Sequence, residues 1–210
     1  MLDTAIKEQL KSVFAALEGN VELVVELSQH ADQADLLDML EGVAETSDKI
    51  TVQKNYSEPG RSSKIPRFHV HHNQKPTGIT FSGIPGGHEF SSLILAILNS
   101  DGKGKLPDAF MTKKIKSLKG PISVKTFISL TCENCPDVVQ ALNQMAILHG
   151  NFKHEMIDGG YAEDEIKTLG IQGVPSIVIN GKLVHSGRIT LVDLLQKLET
   201  TFGVSEVEGG

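Results

Sequence analysis

The chain has no tryptophan, two tyrosines and two cysteines among its 210 residues. Two cysteines cannot form a disulfide scaffold, so stability must come from a packed apolar core. Apolar residues make up 40% of the chain, and its length allows two cores of about 100 residues each. No apolar run approaches the ~20 residues needed to cross a bilayer. Charges interrupt the opening "MLDTAIKEQLKSVFAALEGN", so it does not read as a signal peptide. A basic excess is missing too. With 26 acidic and 20 basic side chains the net charge is −6, which argues against nucleic acid or a membrane as partner. The one basic run, "MTKKIKSLKG", reads as a solvated helix face. "SGIPGGHEF" is glycine-rich but does not match the dinucleotide fingerprint, and "IDGG" lacks the acids of a calcium loop. No Ser-His-Asp pattern is found. A cytoplasmic protein is the expectation, and in a reducing cytosol a lone C-x-x-C points to catalysis or metal binding.

Hydrophobic periodicity divides the chain into alternating elements. A helix over 4–18 places Ile6, Leu10, Val13, Phe14 and Leu17 on one face. A strand (21–27), a helix (32–46), three strands (49–53, 67–72, 78–83) and a helix (88–98) follow. After a break at "NSDGKG" and a short amphipathic helix, the same kind of order returns. It comprises a strand (122–130), a helix (133–148), a strand (153–158) and a short helix (162–170). "SIVI" then turns at Asn180-Gly181, a strong two-residue hairpin signal, into "LVHSG". A last helix starts at Thr190, with Asp193 three residues on as a capping pair, and "TTFGVSEVEGG" loses periodicity.

The two halves superimpose as sequence. A shift of 101 residues sets "LSQHADQADLL" on "ISLTCENCPDVV", so that Ala31 and Ala34 stand where the second half has Cys132 and Cys135. "IPRFHV" and "VPSIVI" also correspond, each a proline leading into a strand. One half keeps the thiols and the other only the shape.

Cys132 and Cys135, in "CENC", lie between a strand and a helix. A thiolate at a helix N-terminus is stabilised by unpaired N–H groups and the macrodipole, which suits a redox couple. Cys132 is expected at that N-terminal position, with Cys135 one turn deeper. Zinc is an alternative. It needs four ligands, so His69, His71 or His72 of "HVHH" would have to complete the site. Two idle thiols are a third reading. Glu133 inside the motif should disfavour the thiolate slightly and so favour a reducing couple.

"GVPSIVING", about 40 residues after the C-x-x-C, lies where thioredoxin-like folds carry a cis-proline facing the cysteines, and Pro175 is that candidate. The opening helix, "GHEF" at 87–90, "CENCPDVVQALN", "HEMIDGG" and "GVPSIVINGK" resemble the N-terminal domain of the alkyl hydroperoxide reductase flavoprotein subunit, over residues 1–200. The resemblance implies an α/β fold of two tandem thioredoxin-like units packed together. Their expected bounds are 1–99 for the N-terminal helix plus the cysteine-less unit, 100–120 for the connector, 121–199 for the redox unit and 200–210 for a linker. It also implies a relay that takes electrons from a flavoprotein half and reduces a two-cysteine peroxiredoxin. Cys132 would attack, Cys135 would resolve, and Glu89 would be the acid near the thiols. FAD and NADH, and a homodimer contact, are expected in the missing C-terminal half, with no cofactor here beyond the disulfide. The alternative is a stand-alone thioredoxin- or glutaredoxin-like disulfide oxidoreductase.

Overall fold

Asp3 caps the first helix by accepting a hydrogen bond from the Ile6 amide at 2.8 Å, and α1 (Thr4–Phe14) then buries Leu10 and Phe14. The chain continues as β1 (Val21–Glu26), α2 (Gln33–Ala44), β2 (Ile50–Asn55), β3 (Arg67–His72), β4 (Lys75–Ser82) and α3 (Phe90–Ser100). α4 (Ala109–Ser117) leads to β5 (Ile122–Ile128), α5 (Cys135–Leu148), β6 (Phe152–Asp158), α6 (Glu163–Leu169), β7 (Ser176–Ile179), β8 (Lys182–Ser186) and α7 (Leu191–Phe202). Short 3-10 turns occupy Gly87–Glu89 and Gly159–Tyr161. The structure, a computed structural model, describes residues 2–55 and 63–205.

All eight strands form one sheet in the order β2-β1-β3-β4-β6-β5-β7-β8. Within each half the first two strands are parallel and the hairpin that follows is antiparallel. The halves join where β4 pairs in parallel with β6, Ile79 opposite His154 and Phe81 opposite Met156. Gly78, at φ +87°, is required at this seam because a Cβ there would strike the Phe152 carbonyl oxygen. α3 and α5, one from each half, pack on each other across the seam and cover Phe68, Phe81 and Met156. One apolar cluster therefore runs through both halves, and a smaller separate one, Phe127, Ile157, Ile171 and Val178, packs against Ile166 and Leu169 of α6.

Polar contacts also cross the seam. Arg67 on β3 bonds to Glu155 on β6 and to Ser82. The Tyr161 hydroxyl donates to Asp32 Oδ2 at 2.6 Å, and its ring meets His30 edge-on at 5.2 Å. Tyr161 of the second half therefore sits against the Ala31–Ala34 turn of the first.

Several element ends differ from expectation for identifiable reasons. α5 starts at Cys135, not 133, because Asn134 is the flanking residue and Pro136 sits at the start of the helix, where a missing N–H costs nothing. β4 starts at Lys75, since Asn73 and Gln74, at φ 48° and 64°, make the turn that closes the β3–β4 hairpin. α7 runs to Phe202, past the expected boundary at 199, and ends at Gly203. Residues 203–205 are not loose: Val204 bridges Leu118. Residues 206–210 of the expected linker lie outside the described residues. The Asn180-Gly181 turn has φ 51° and 74°, the double positive φ of the anticipated hairpin type.

Candidate active site

β5 ends at Ile128, and the chain turns through 129–134 before α5. In that turn the Cys132 amide donates to the Ser129 carbonyl at 3.0 Å, which keeps Cys132 just outside the helix. The expectation that Cys132 opens the helix is thereby corrected: Cys135 takes the first helical position. The two are joined as a disulfide with Cα atoms 5.5 Å apart. Cys135 is fully buried (0% exposed), whereas Cys132 is half-buried. The unpaired amides of a 14-residue helix point at the pair, so whichever sulfur carries negative charge is stabilised.

Pro175 is buried, and the Val174–Pro175 bond is cis, as the resemblance implies. The Val174 carbonyl lies 3.9 Å from Cys132 Sγ. The loop is held by the Gly187 amide, which donates to the Pro175 carbonyl at 2.8 Å, and by the Ser176 hydroxyl, which donates to the Gly173 carbonyl at 2.6 Å. A cleft of about 480 Å³ runs between the first turns of α5 and the start of α7, lined by Asn134, Asp137, Gln140 and Arg188.

Glu89 belongs to the other half, yet the fold brings it to the same region. The His88 amide donates to the Leu130 carbonyl at 3.1 Å, fixing the 3-10 turn against the loop that leads to Cys132. Gly87, at φ +52°, allows this approach, because a Cβ would strike the Leu130 carbonyl. Gln140 on α5 donates to Ser91 and Ser92 on α3 at 3.2 and 3.4 Å and closes the other side. Glu89 is 0% exposed, and neither carboxylate oxygen has a hydrogen-bond partner of normal geometry among the described residues. Burial pushes its carboxyl up to about 7 from the ordinary 4.5, while nearby Ser92 pulls weakly the other way. The acid can therefore be neutral or charged near neutral pH.

Sequence reasoning missed a second buried polar group. His154 on β6 lies between Asn143 Oδ1 of α5, 2.7 Å from Nδ1, and Thr126 Oγ1 of β5, 2.9 Å from Nε2. Burial pulls its pKa down to about 3, so it is neutral, and the amide oxygen requires the proton on Nδ1. The alternation Phe152, His154, Met156 in "FKHEMID" is the signal that places it inward. Two of the three histidines offered for zinc have other engagements. His69 contacts Glu26 at 2.7 Å and Thr80 at 2.9 Å, and His72 contacts Asp101 at 2.8 Å. A cleft of about 1000 Å³ on the sheet contains neither the cysteines nor Glu89. Two ion pairs lie within it, Arg67 with Glu155 and Lys125 with Glu165.

The thioredoxin domain family matches residues 122–200, the half that carries the disulfide. A crystal structure of the NTD_N/C domain of alkyl hydroperoxide reductase AhpF from Enterococcus faecalis superimposes with TM-score 0.86 at 30% identity, over 94% of this chain and 100% of that one. This chain belongs to the AhpF family of alkyl hydroperoxide reductases, as its N-terminal domain. The AhpF protein of Staphylococcus aureus is 39% identical over 208 residues, and that of Staphylococcus epidermidis 40% over 206. These matches cover 99% and 98% of the chain but 40% and 39% of the relatives, so the chain spans about 40% of their length. A protein disulfide oxidoreductase from Aeropyrum pernix shares the fold, with TM-score 0.82 at 24% identity over 100% of this chain and 98% of that one. The AhpF N-terminal domain is thus built on two tandem thioredoxin-like units, and in this chain the disulfide lies in the second.

Proposed function

We propose that the chain is the thiol–disulfide relay of a peroxiredoxin reductase. It takes two electrons from the flavoprotein portion of the same subunit and passes them to the disulfide of a two-cysteine peroxiredoxin, which removes alkyl hydroperoxides or hydrogen peroxide. The observation that carries this reading is the asymmetry of the cysteine pair. Cys132 is reachable beside the Val174 carbonyl, and Cys135 is sealed at the first helical position.

In the reduced state the Cys132 thiolate attacks one sulfur of the partner's disulfide. A mixed disulfide forms, and the partner's other sulfur leaves as a thiolate that picks up a proton. Cys135 then loses its proton and attacks Cys132 Sγ. The intramolecular disulfide closes and the partner's second thiolate leaves and takes a proton from solvent, so two electrons have passed to the partner while the Cys135 proton stays with this chain. Glu89 is the acceptor of the Cys135 proton: a carboxyl poised near 7 takes it at neutral pH and returns it when the pair is reduced again. A permanently charged Glu89 would instead raise the thiol pKa by repulsion. The Val174–Pro175 segment gives the partner's extended strand a backbone edge to pair with.

FAD, NADH and the homodimer contact belong to the flavoprotein portion, and the working compartment is the cytoplasm. No helix among the described residues is long and apolar enough to cross a membrane. A rate comparison tests the reading against a stand-alone disulfide oxidoreductase. The reduced chain should reduce an oxidised two-cysteine peroxiredoxin much faster than insulin. Equal rates on both would favour the general oxidoreductase.

A further inference from the structure

The basic run of the connector is not used by the relay. α4 turns Ile115 (0% exposed) inward, and Leu118 (3%) beyond its end is buried too; its opposite face carries Phe110, Lys113 and Lys116. Phe110 is 70% exposed, more than any other large apolar side chain described. Lys114 Nζ lies 6.0 Å from its ring centroid and pairs with Glu199 at 3.1 Å. Lys113 and Lys116 meet no carboxylate among the described residues. A groove of about 450 Å³ runs along this face between Thr112, Lys113, Lys116 and Ser205.

The same face is where the chain departs. The Lys119 amide donates to the Gly203 carbonyl at 3.0 Å, and the Ser205 amide to the Ser117 carbonyl at 2.7 Å. Whatever follows Ser205 therefore emerges beside the groove. We propose that the outer face of α4, Phe110 with Lys113 and Lys116, is the docking surface for the flavoprotein portion of the subunit, through an acidic counter-surface on that portion. The proposal rests on the relay reading for the identity of that neighbour.

Three physical arguments select this occupant. A partner tethered at Ser205 is held at an effective concentration on the order of 1 mM, so a small patch suffices. A free partner would need roughly 1,000 Å² of complementary surface, far more than one phenylalanine and two lysines supply. The position also suits the relay. The Leu118 carbonyl accepts from His149 Nε2 at 2.9 Å, which places the end of α4 at the C-terminal end of α5. Cys135 is at the other end, about 20 Å away by the rise of the helix. Docking on α4 therefore leaves Cys132 open to an incoming disulfide, the pose that delivers electrons.

Hydrogen exchange compares the full-length subunit with the 210-residue chain alone. At ~1 mM effective concentration, a docking Kd of about 0.1 mM slows exchange along 109–117 by about tenfold in the full-length protein. The protection should fade with added salt and disappear in Phe110→Ala combined with Lys113→Glu and Lys116→Glu. Equal exchange of α4 in the two proteins overturns the proposal. Protection that instead rises with the concentration of the isolated chain also overturns it, since a second copy would then be the occupant. Thiol labelling of Cys132 and Cys135 in the same samples after NADH addition keeps the two readings apart. Reduction without α4 protection sinks the docking surface and leaves the relay standing. Protection without reduction supports the surface and sinks the relay.

Discussion

Replacing Glu89 with Gln tests whether a buried carboxyl serves as a proton store. Glu89 is fully buried, without hydrogen-bond partners among the described residues, and its pKa rises from 4.5 to about 7. The folded state thus holds this proton more tightly than the unfolded chain does. The stability due to the protonated form is fully present below pH 4.5 and is lost as pH rises through about 7. The loss amounts to about 3 kcal/mol, at roughly 1.4 kcal/mol for each pH unit between the two values. Glu89→Gln keeps the shape and cannot ionise, so its advantage over the parent should be absent at pH 4.5 and reach about 3 kcal/mol by pH 8.

His154 runs in the opposite direction. Its pKa falls from 6.5 to about 3, so its contribution is present above 6.5 and lost as pH falls toward 3. In the parent the two effects oppose each other between pH 4.5 and 6.5, which flattens the stability profile there. The difference between variant and parent cancels His154 and isolates Glu89. Urea unfolding of the oxidised proteins suits the measurement, because the disulfide removes thiol titration. The absence of tryptophan makes far-ultraviolet circular dichroism the natural signal. With a slope of about 2–3 kcal/mol/M, the midpoint gap should open by about 1 M between pH 4.5 and pH 8. A gap that stays constant over this range would mean that Glu89 does not titrate differently in the fold, and the proton-store role would fall.

Three further outcomes follow from the same geometry. Ala31→Ser and Ala34→Ser should leave peroxiredoxin reduction within about twofold of the parent, because the first unit has no thiols to lose; a well-folded variant with activity down by an order of magnitude contradicts the scaffold role. Pro175→Ala frees a backbone angle at the edge beside Cys132 and should slow reduction of the protein partner by about tenfold, the worth of roughly one backbone hydrogen bond. Reduction of a small aromatic disulfide should hardly change, and equal losses on both substrates refute the docking edge. Tyr161→Phe removes the hydroxyl that meets Asp32 at 2.6 Å and should cost about 1 kcal/mol in urea unfolding while sparing turnover; unchanged stability would show that this contact across the seam contributes nothing.

Much of this was legible because it depends on local chemistry. Asn180-Gly181 marks its hairpin because both positions need positive φ. Thr190 and Asp193 mark the start of α7 because the Thr190 hydroxyl accepts from the Asp193 amide at 3.1 Å. The repeat was also readable: β1, α2 and β2 recur as β5, α5 and β6 at the offset that aligns Ala31 with Cys132. The joining of the halves was not readable, since nothing in "GITFS" or "KHEMID" says that β4 pairs with β6. The environment of Glu89 was equally hidden. Locally it is an acid at a helix start, and only the docking of Gly87–His88 on Leu130 shows it buried and unpartnered. The end of α7 was missed because "TTF" has no apolar period. There the Thr200 and Thr201 hydroxyls bond back to the Gln196 and Lys197 carbonyls, and Phe202 packs against the core.

The order of attack by the two thiols is the most direct test of the relay. Cys132 is the reachable sulfur beside Val174, and Cys135 is sealed inside the start of α5. A Cys135→Ser chain can therefore attack but cannot resolve. Mixed with an oxidised two-cysteine peroxiredoxin, it should accumulate a covalent complex on a non-reducing gel that dithiothreitol dissolves. Cys132→Ser should give none. Trapping by Cys132→Ser but not by Cys135→Ser would reverse the assigned roles, and trapping by neither would show that this chain is not the peroxiredoxin's reductant.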